Sequence, residues 1–288
     1  MDRRSGESVV WQSARRATAQ PPIGVAPGRR LPLHRRRRRT RVKVPEVTIW
    51  FWVAKLATTA MGEATSDFLA HKFGPIVAGS VGALVFAGAI CLQFWVRRYV
   101  TWVYWLAVAM VAVFGTMAAD GLHIELHIPY AVTTTMYIIG LAAVFAVWYW
   151  SEQTLDIHSI NNPRREFFYW ATVLATFALG TAAGDLTAVT LHLGYFSSVL
   201  LFALLILIPA VAYRWLGMNE VFAFWFAYVL TRPLGASVAD WVGFAHSRGG
   251  LGLGSGTFAW LLTFAIVVVV AYIGRSGKDR QRSPAPAG

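Results

Sequence analysis

Apolar stretches of about 20 residues recur along this chain, and a helix rising roughly 1.5 Å per residue crosses a hydrocarbon core of roughly 30 Å in that length. Of the 288 residues 56% are hydrophobic and the mean hydropathy is +0.50, well above a soluble globular domain, so the bulk of the chain must face lipid. The spans read as roughly 46 to 70, 74 to 96, 102 to 122, 128 to 150, 167 to 190, 194 to 214, 220 to 243 and 257 to 274. The expected fold is all-α, a polytopic membrane bundle of eight transmembrane helices built as four repeated helical hairpins over residues 44–274.

The net charge of +12 resembles a nucleic-acid signal until it is located. Residues 1–43 hold 13 Lys/Arg against 2 acids, and the remainder is nearly neutral. This segment, with the run Arg35 to Arg39 and few aromatics, reads as a disordered basic tail that determines topology and binds anionic lipids, not nucleic acid. Residues 275–288 read as a second disordered tail. Basic residues on the same side as the tail include Arg97, Arg98, Arg164, Arg165, Arg214 and Arg275, whereas the opposite side has only Lys72 and Arg248. Positively charged loops are retained in the cytoplasm, so both termini are expected there, in a bacterial inner membrane. The apolar run from about Val47 is too long for a signal peptide and reads as a retained first helix. Cys91 is the only cysteine, which excludes an intrachain disulfide or a thiolate cluster.

An internal repeat organises the rest. Aligned on Asp67, Asp120, Asp185 and Asp240, the four odd-numbered spans carry a tryptophan fifteen residues earlier: Trp52, Trp105, Trp170 and Trp225. Phe51, Tyr104, Tyr169 and Phe224 precede these, and Gly62, Gly115, Gly180 and Gly235 stand five residues before each aspartate. With 13 tryptophans in 288 positions, four at one offset arise by chance about four times in a million before the freedom of alignment is allowed for, so duplication is the better explanation. The aromatic pairs read as interfacial anchors and the glycines as close helix contacts. Parallel repeats imply a pseudo-symmetric bundle about an axis along the membrane normal.

Fifteen residues beyond an interfacial tryptophan is about 22 Å of helix, so each aspartate lies within or at the edge of the hydrocarbon, near a helix C-terminus whose dipole disfavours an anion. Such a carboxylate costs several kcal/mol unless paired or hydrated. One turn earlier stand Glu63, Thr116, Thr181 and Ala236, and Lys55, Thr59, Glu63 and Asp67 form a polar stripe on the first helix, which should line the bundle interior. Lys55 and Arg232 are expected to neutralise some of these five carboxylates, leaving a deficit of about three charges that protons or a metal could supply. His71, His123, Glu125, His127, His192 and His246 lie near the mouth, and oxygen with occasional imidazole suits manganese, magnesium or zinc. The alternative is a neutralised network holding helices together. The loop from Trp150 to Glu166 reads as a solvated connector.

With "KVPEVTIWFW", "GEATSDFL", "TLDIHSINNPRREFFYW", "TFALGTAAGD" and "GASVADW" in view, residues 43 to 274 resemble a widespread bacterial family labelled only as uncharacterised membrane-anchored proteins. The resemblance implies an eight-helix inner-membrane protein, and residues 1–40 an extension or misplaced start. It implies no reaction. The sequence thus leads to a cation (divalent metal and/or proton) transporter working through Asp67, Asp120, Asp185, Asp240 and Glu63, or alternatively to a non-transporting scaffold, assembly factor or sensor. No nucleophile and base pair or zinc-protease motif points to an enzyme.

Overall fold

The computed structural model describes residues 42–124 and 126–279; residues 1–41 of the expected basic tail, Glu125, and residues 280–288 lie outside the described residues. Among the described residues the regular structure is entirely helical: α1 (Ile49–Phe73), α2 (Pro75–Trp95), α3 (Thr101–Ile124), α4 (Tyr130–Glu152), α5 (Pro163–Asp185), α6 (Tyr195–Leu205), α7 (Leu207–Trp215), α8 (Glu220–Gly243) and α9 (Ser255–Ser276). Helices α6 and α7 are the halves of one expected span. Pro209 has no N–H and its ring crowds the carbonyl four residues back, at Leu205, which is where α6 stops. Seven helices, with α6 and α7 taken together, are long and apolar enough to cross a membrane. Helix α1 falls outside that set because Lys55, Glu63 and Asp67 interrupt its apolar run.

Helices α1, α3, α5 and α8 form a closed inner ring, each packed on the next and α8 on α1. The repeat glycines explain how. A Cβ on Gly62 would strike Ala112, one on Gly115 would meet Phe177 at 2.7 Å, one on Gly180 would strike Arg232, and one on Gly235 would strike Thr59. Each pair joins the position five before one aspartate to the position eight before the next, and the fourth repeat returns to the first. Backbones can approach this closely only without a side chain. The glycines therefore make the close contacts expected of them, and the shared register makes the four inner helices parallel.

The second helix of each repeat lies outside, packed on the inner helix of the following repeat: α2 on α3, α4 on α5, α6 on α8, and α9 back on α1. These outer helices expose large apolar side chains, among them Ile76, Leu84, Ile139, Leu204 and Phe264.

The aromatic pairs are not anchors on the outside of the bundle. Phe51, Tyr104, Trp105, Tyr169, Trp170 and Trp225 are buried, and Trp52 and Phe224 are half-buried. They form a second closed ring: Phe51 on Trp105 at 5.8 Å between centroids, Tyr104 on Trp170 at 5.6 Å, Tyr169 on Trp225 at 6.1 Å and Phe224 on Trp52 at 5.7 Å. The exposed tryptophans at helix ends are others, Trp95, Trp102, Trp150 and Trp215.

The 151–166 connector is not simply solvated. Ile157 and Ile160 are buried, Arg165 donates to Glu152 at 2.8 Å, and the Trp225 indole N–H donates to the Leu155 carbonyl at 2.9 Å, so the segment covers the aromatic ring. Two clasps lie at this end. Lys43 reaches the buried Glu166 carboxylate at 2.7 Å, with Gln93 Nε2 donating to the same group at 3.0 Å. Asp279 Oδ2 accepts from Tyr99 and Thr101 at 2.6 Å each, and its carbonyl accepts from the Glu46 N–H at 2.9 Å. Burial, and secondarily the bond to Asp279, pushes the Tyr99 hydroxyl well above the usual phenol range. Positions 43 and 275–279, placed in the tails by sequence reasoning, are tied to the helical body.

Candidate functional site

Above the aromatic ring, counting along the inner helices, the first interior polar group is Lys55. Its equivalents in the other repeats are Val108, Val173 and Tyr228. It is fully buried, and its Nζ stands 4.0 Å from the ring centroids of both Phe177 and Tyr228, with no hydrogen-bond or ion-pair partner among the described residues. The expectation that Lys55 neutralises a carboxylate is therefore not met.

Arg232 meets it. Its Nη2 lies 2.6 Å from Glu63 Oε2 and also donates to the hydroxyls of Thr116 and, at 2.7 Å, Thr181, while Nη1 donates to the Thr59 carbonyl at 3.2 Å. Thr116 and Thr181 are 3.2 and 3.1 Å from the same Glu63 oxygen. All four inner helices thus contribute to one buried knot, with Glu63, Thr116 and Thr181 from equivalent positions of three repeats. Pro233 follows Arg232 inside α8 and, having no N–H, leaves the Val229 carbonyl without its intrahelical donor. The Thr59 hydroxyl bonds back to the Leu56 carbonyl at 2.7 Å, so its contribution is its backbone. Every bond to Glu63 goes to Oε2; Oε1 receives none among the described residues.

One turn further lie the aspartates. Asp67, Asp120 and Asp185 are half-buried and Asp240 is buried. None has an ion-pair or side-chain hydrogen-bond partner among the described residues. Glu63, Asp67 and Asp120 offer oxygens that all lie within 4.8 Å of one another, whereas Asp185 and Asp240 fall outside that group. Ligands on opposite sides of an ion are separated by twice the metal–oxygen distance, about 4.0–5.2 Å for bonds of roughly 2.0–2.6 Å, so these three donors are within reach of one hard cation. Asp185 ends α5 where the helix widens into a π-helical turn, Leu186–Thr190, a form that often marks functional positions. Sequence reasoning had no signal for that turn.

The histidines do not join the carboxylates. His71 Nδ1 bonds the Asp67 carbonyl at 2.8 Å, His123 Nδ1 bonds the Ile128 carbonyl at 2.7 Å and stacks on Tyr130, and His127, His192 and His246 are exposed. Arg248 stands 4.1 Å over the Phe244 ring rather than on a carboxylate.

Fold and site together define a four-repeat, all-helical protein whose apolar helices fit a multi-pass membrane protein of unknown function. The chain belongs to the family described as Repeat of Unknown Function (DUF347), which matches residues 50–99, 103–154, 168–218 and 223–279. Each match begins two residues before a repeat tryptophan, at 52, 105, 170 and 225, so its units coincide with those read from the aspartates. No curated protein and no solved structure matches the chain.

Proposed function

We propose that this is an integral membrane protein that binds a cation at the aspartate end of the inner ring and moves it across the bilayer, a divalent metal, protons, or a metal exchanged for protons. The observation that carries this reading is a charge imbalance. Arg232 is committed to Glu63 Oε2, Lys55 stands among aromatic rings, and the four aspartate side chains have no ion-pair partner among the described residues. Carboxylates in low dielectric repel strongly, and each must be neutralised by a proton or a bound cation. The donor set is all oxygen, so manganese or magnesium fits better than zinc, which prefers nitrogen and sulfur. In this proposal the eight crossings lie in a bacterial inner membrane with the aromatic end and both termini cytoplasmic, where the basic tail meets anionic lipid, and the aspartates open outward.

A second reading has its own observation. The aromatic ring and the Arg232–Glu63 knot close the axis below the aspartates, as a scaffold or sensor that binds a cation without passing it would require. Purified protein in liposomes loaded with a manganese-quenched dye separates the two. Dye quenching that is lost in Asp120→Asn supports transport. Manganese binding without quenching supports the sensor, and neither binding nor quenching removes the divalent-metal reading.

A further inference from the structure

Lys55 carries an inference independent of the carboxylates. Its Nζ is fully buried, has no oxygen partner among the described residues, and is 4.0 Å from two ring centroids, Phe177 on α5 and Tyr228 on α8, themselves completely buried. The Phe177 ring also has the Arg232 guanidinium 4.9 Å from its centroid. Ring faces attract cations through their quadrupole, most strongly where water is excluded. They offer no oxygen to replace a hydration shell, so a strongly hydrated divalent ion is not held by them, whereas a primary ammonium or another weakly hydrated monovalent cation is.

We infer that the Phe177–Tyr228 pair is an ammonium-binding site on the axis of the inner ring, filled here by the chain's own Lys55. The ring then carries two cation sites of different chemistry: carboxylates at its end and an aromatic cage in its interior. A tethered lysine in the cage keeps free cations out, and its displacement opens the cage to a monovalent ammonium. The site stands whether or not the aspartates bind metal.

Truncating the side chain to Cβ removes a fragment the size and charge of propylammonium, which makes that ion the probe. In the full-length protein in detergent, Lys55→Ala is expected to bind propylammonium at least tenfold more tightly than its neutral isostere 1-propanol, read as a ligand-dependent rise in the thermal midpoint. Wild type and Lys55→Met, whose cage stays filled, should respond to neither. Equal response to both compounds, or response to neither, would make Lys55 a space-filler and overturn the inference. Should Lys55→Ala not fold, Lys55→Met supplies a second test through a double-mutant cycle. Phe177→Leu should lower the thermal midpoint at least twice as far in wild type as in Lys55→Met, and equal shifts in the two backgrounds would contradict an ammonium–ring interaction.

Discussion

The aromatic end of the inner ring is closed by side chains that complete one another, Phe51 on Trp105, Tyr104 on Trp170, Tyr169 on Trp225 and Phe224 on Trp52, whereas the aspartate end repeats one carboxylate four times with no ion-pair or hydrogen-bond partner for it among the described residues. Both layers come from the same duplication. A repeated apolar ring gains from its copies, because each face finds the next, while a repeated anion is opposed by its copies. The aromatic end is thus satisfied by its own copies, and in the proposed function the aspartate end takes its partner, a cation or protons, from outside the chain. Between them the repeat is broken, with Arg232 where the other copies have Thr59, Ala112 and Phe177, and one charge of the asymmetric Glu63 is balanced from inside the chain.

The largest effect is expected at that break. Arg232→Ala leaves Glu63 buried without its cation and should cost about 3–5 kcal/mol of stability, while Glu63→Gln combined with Arg232→Met should recover most of it. Titration into a denaturing detergent measures both. Next comes ring closure: Gly235→Val forces a side chain into Thr59 and should cost about 1–3 kcal/mol, whereas Gly140→Ala, with nothing within 4 Å of its added Cβ, should be neutral or stabilising. If the two glycines respond alike, the closed ring is wrong. Tyr104→Phe deletes the hydroxyl bond to Tyr169, 2.5 Å long, and should cost only about 0.6–1 kcal/mol, since hydrogen bonds between membrane helices are modest.

The hairpin count, the four aspartates and the glycine contacts were legible in the sequence because duplication multiplies a weak signal at fixed offsets. The aromatic pairs were legible as a pattern and misread in place. An aromatic residue near a helix end suits a lipid headgroup as well as a neighbouring helix, and only cyclic packing turns Trp105 inward while Trp95 and Trp150 remain outside. Cyclic closure itself was hidden, because the partners of the repeat glycines are as different as Ala112, Phe177, Arg232 and Thr59. Lys55 was misassigned for the same reason: charge counting pairs it with a carboxylate, but its position in the ring, lower than Glu63 by two turns of α1, gives it Phe177 and Tyr228 instead.

The smallest stability effects should come from the aspartates, and the most specific ones. Each Asp→Asn change relieves repulsion, so the folded state should be unchanged or slightly more stable, and the loss should appear in binding. Calorimetric titration of manganese into the purified protein, in two buffers of different ionisation enthalpy, tests this most directly. The proposal predicts one ion per chain with protons released on entry, and an affinity at least tenfold weaker in Asp67→Asn and Asp120→Asn, whose oxygens lie with that of Glu63 within 4.8 Å of one another. Absence of binding by the wild type, or binding unchanged in both variants while they unfold more readily, would contradict a cation site and leave the aspartates as a network that holds helices together.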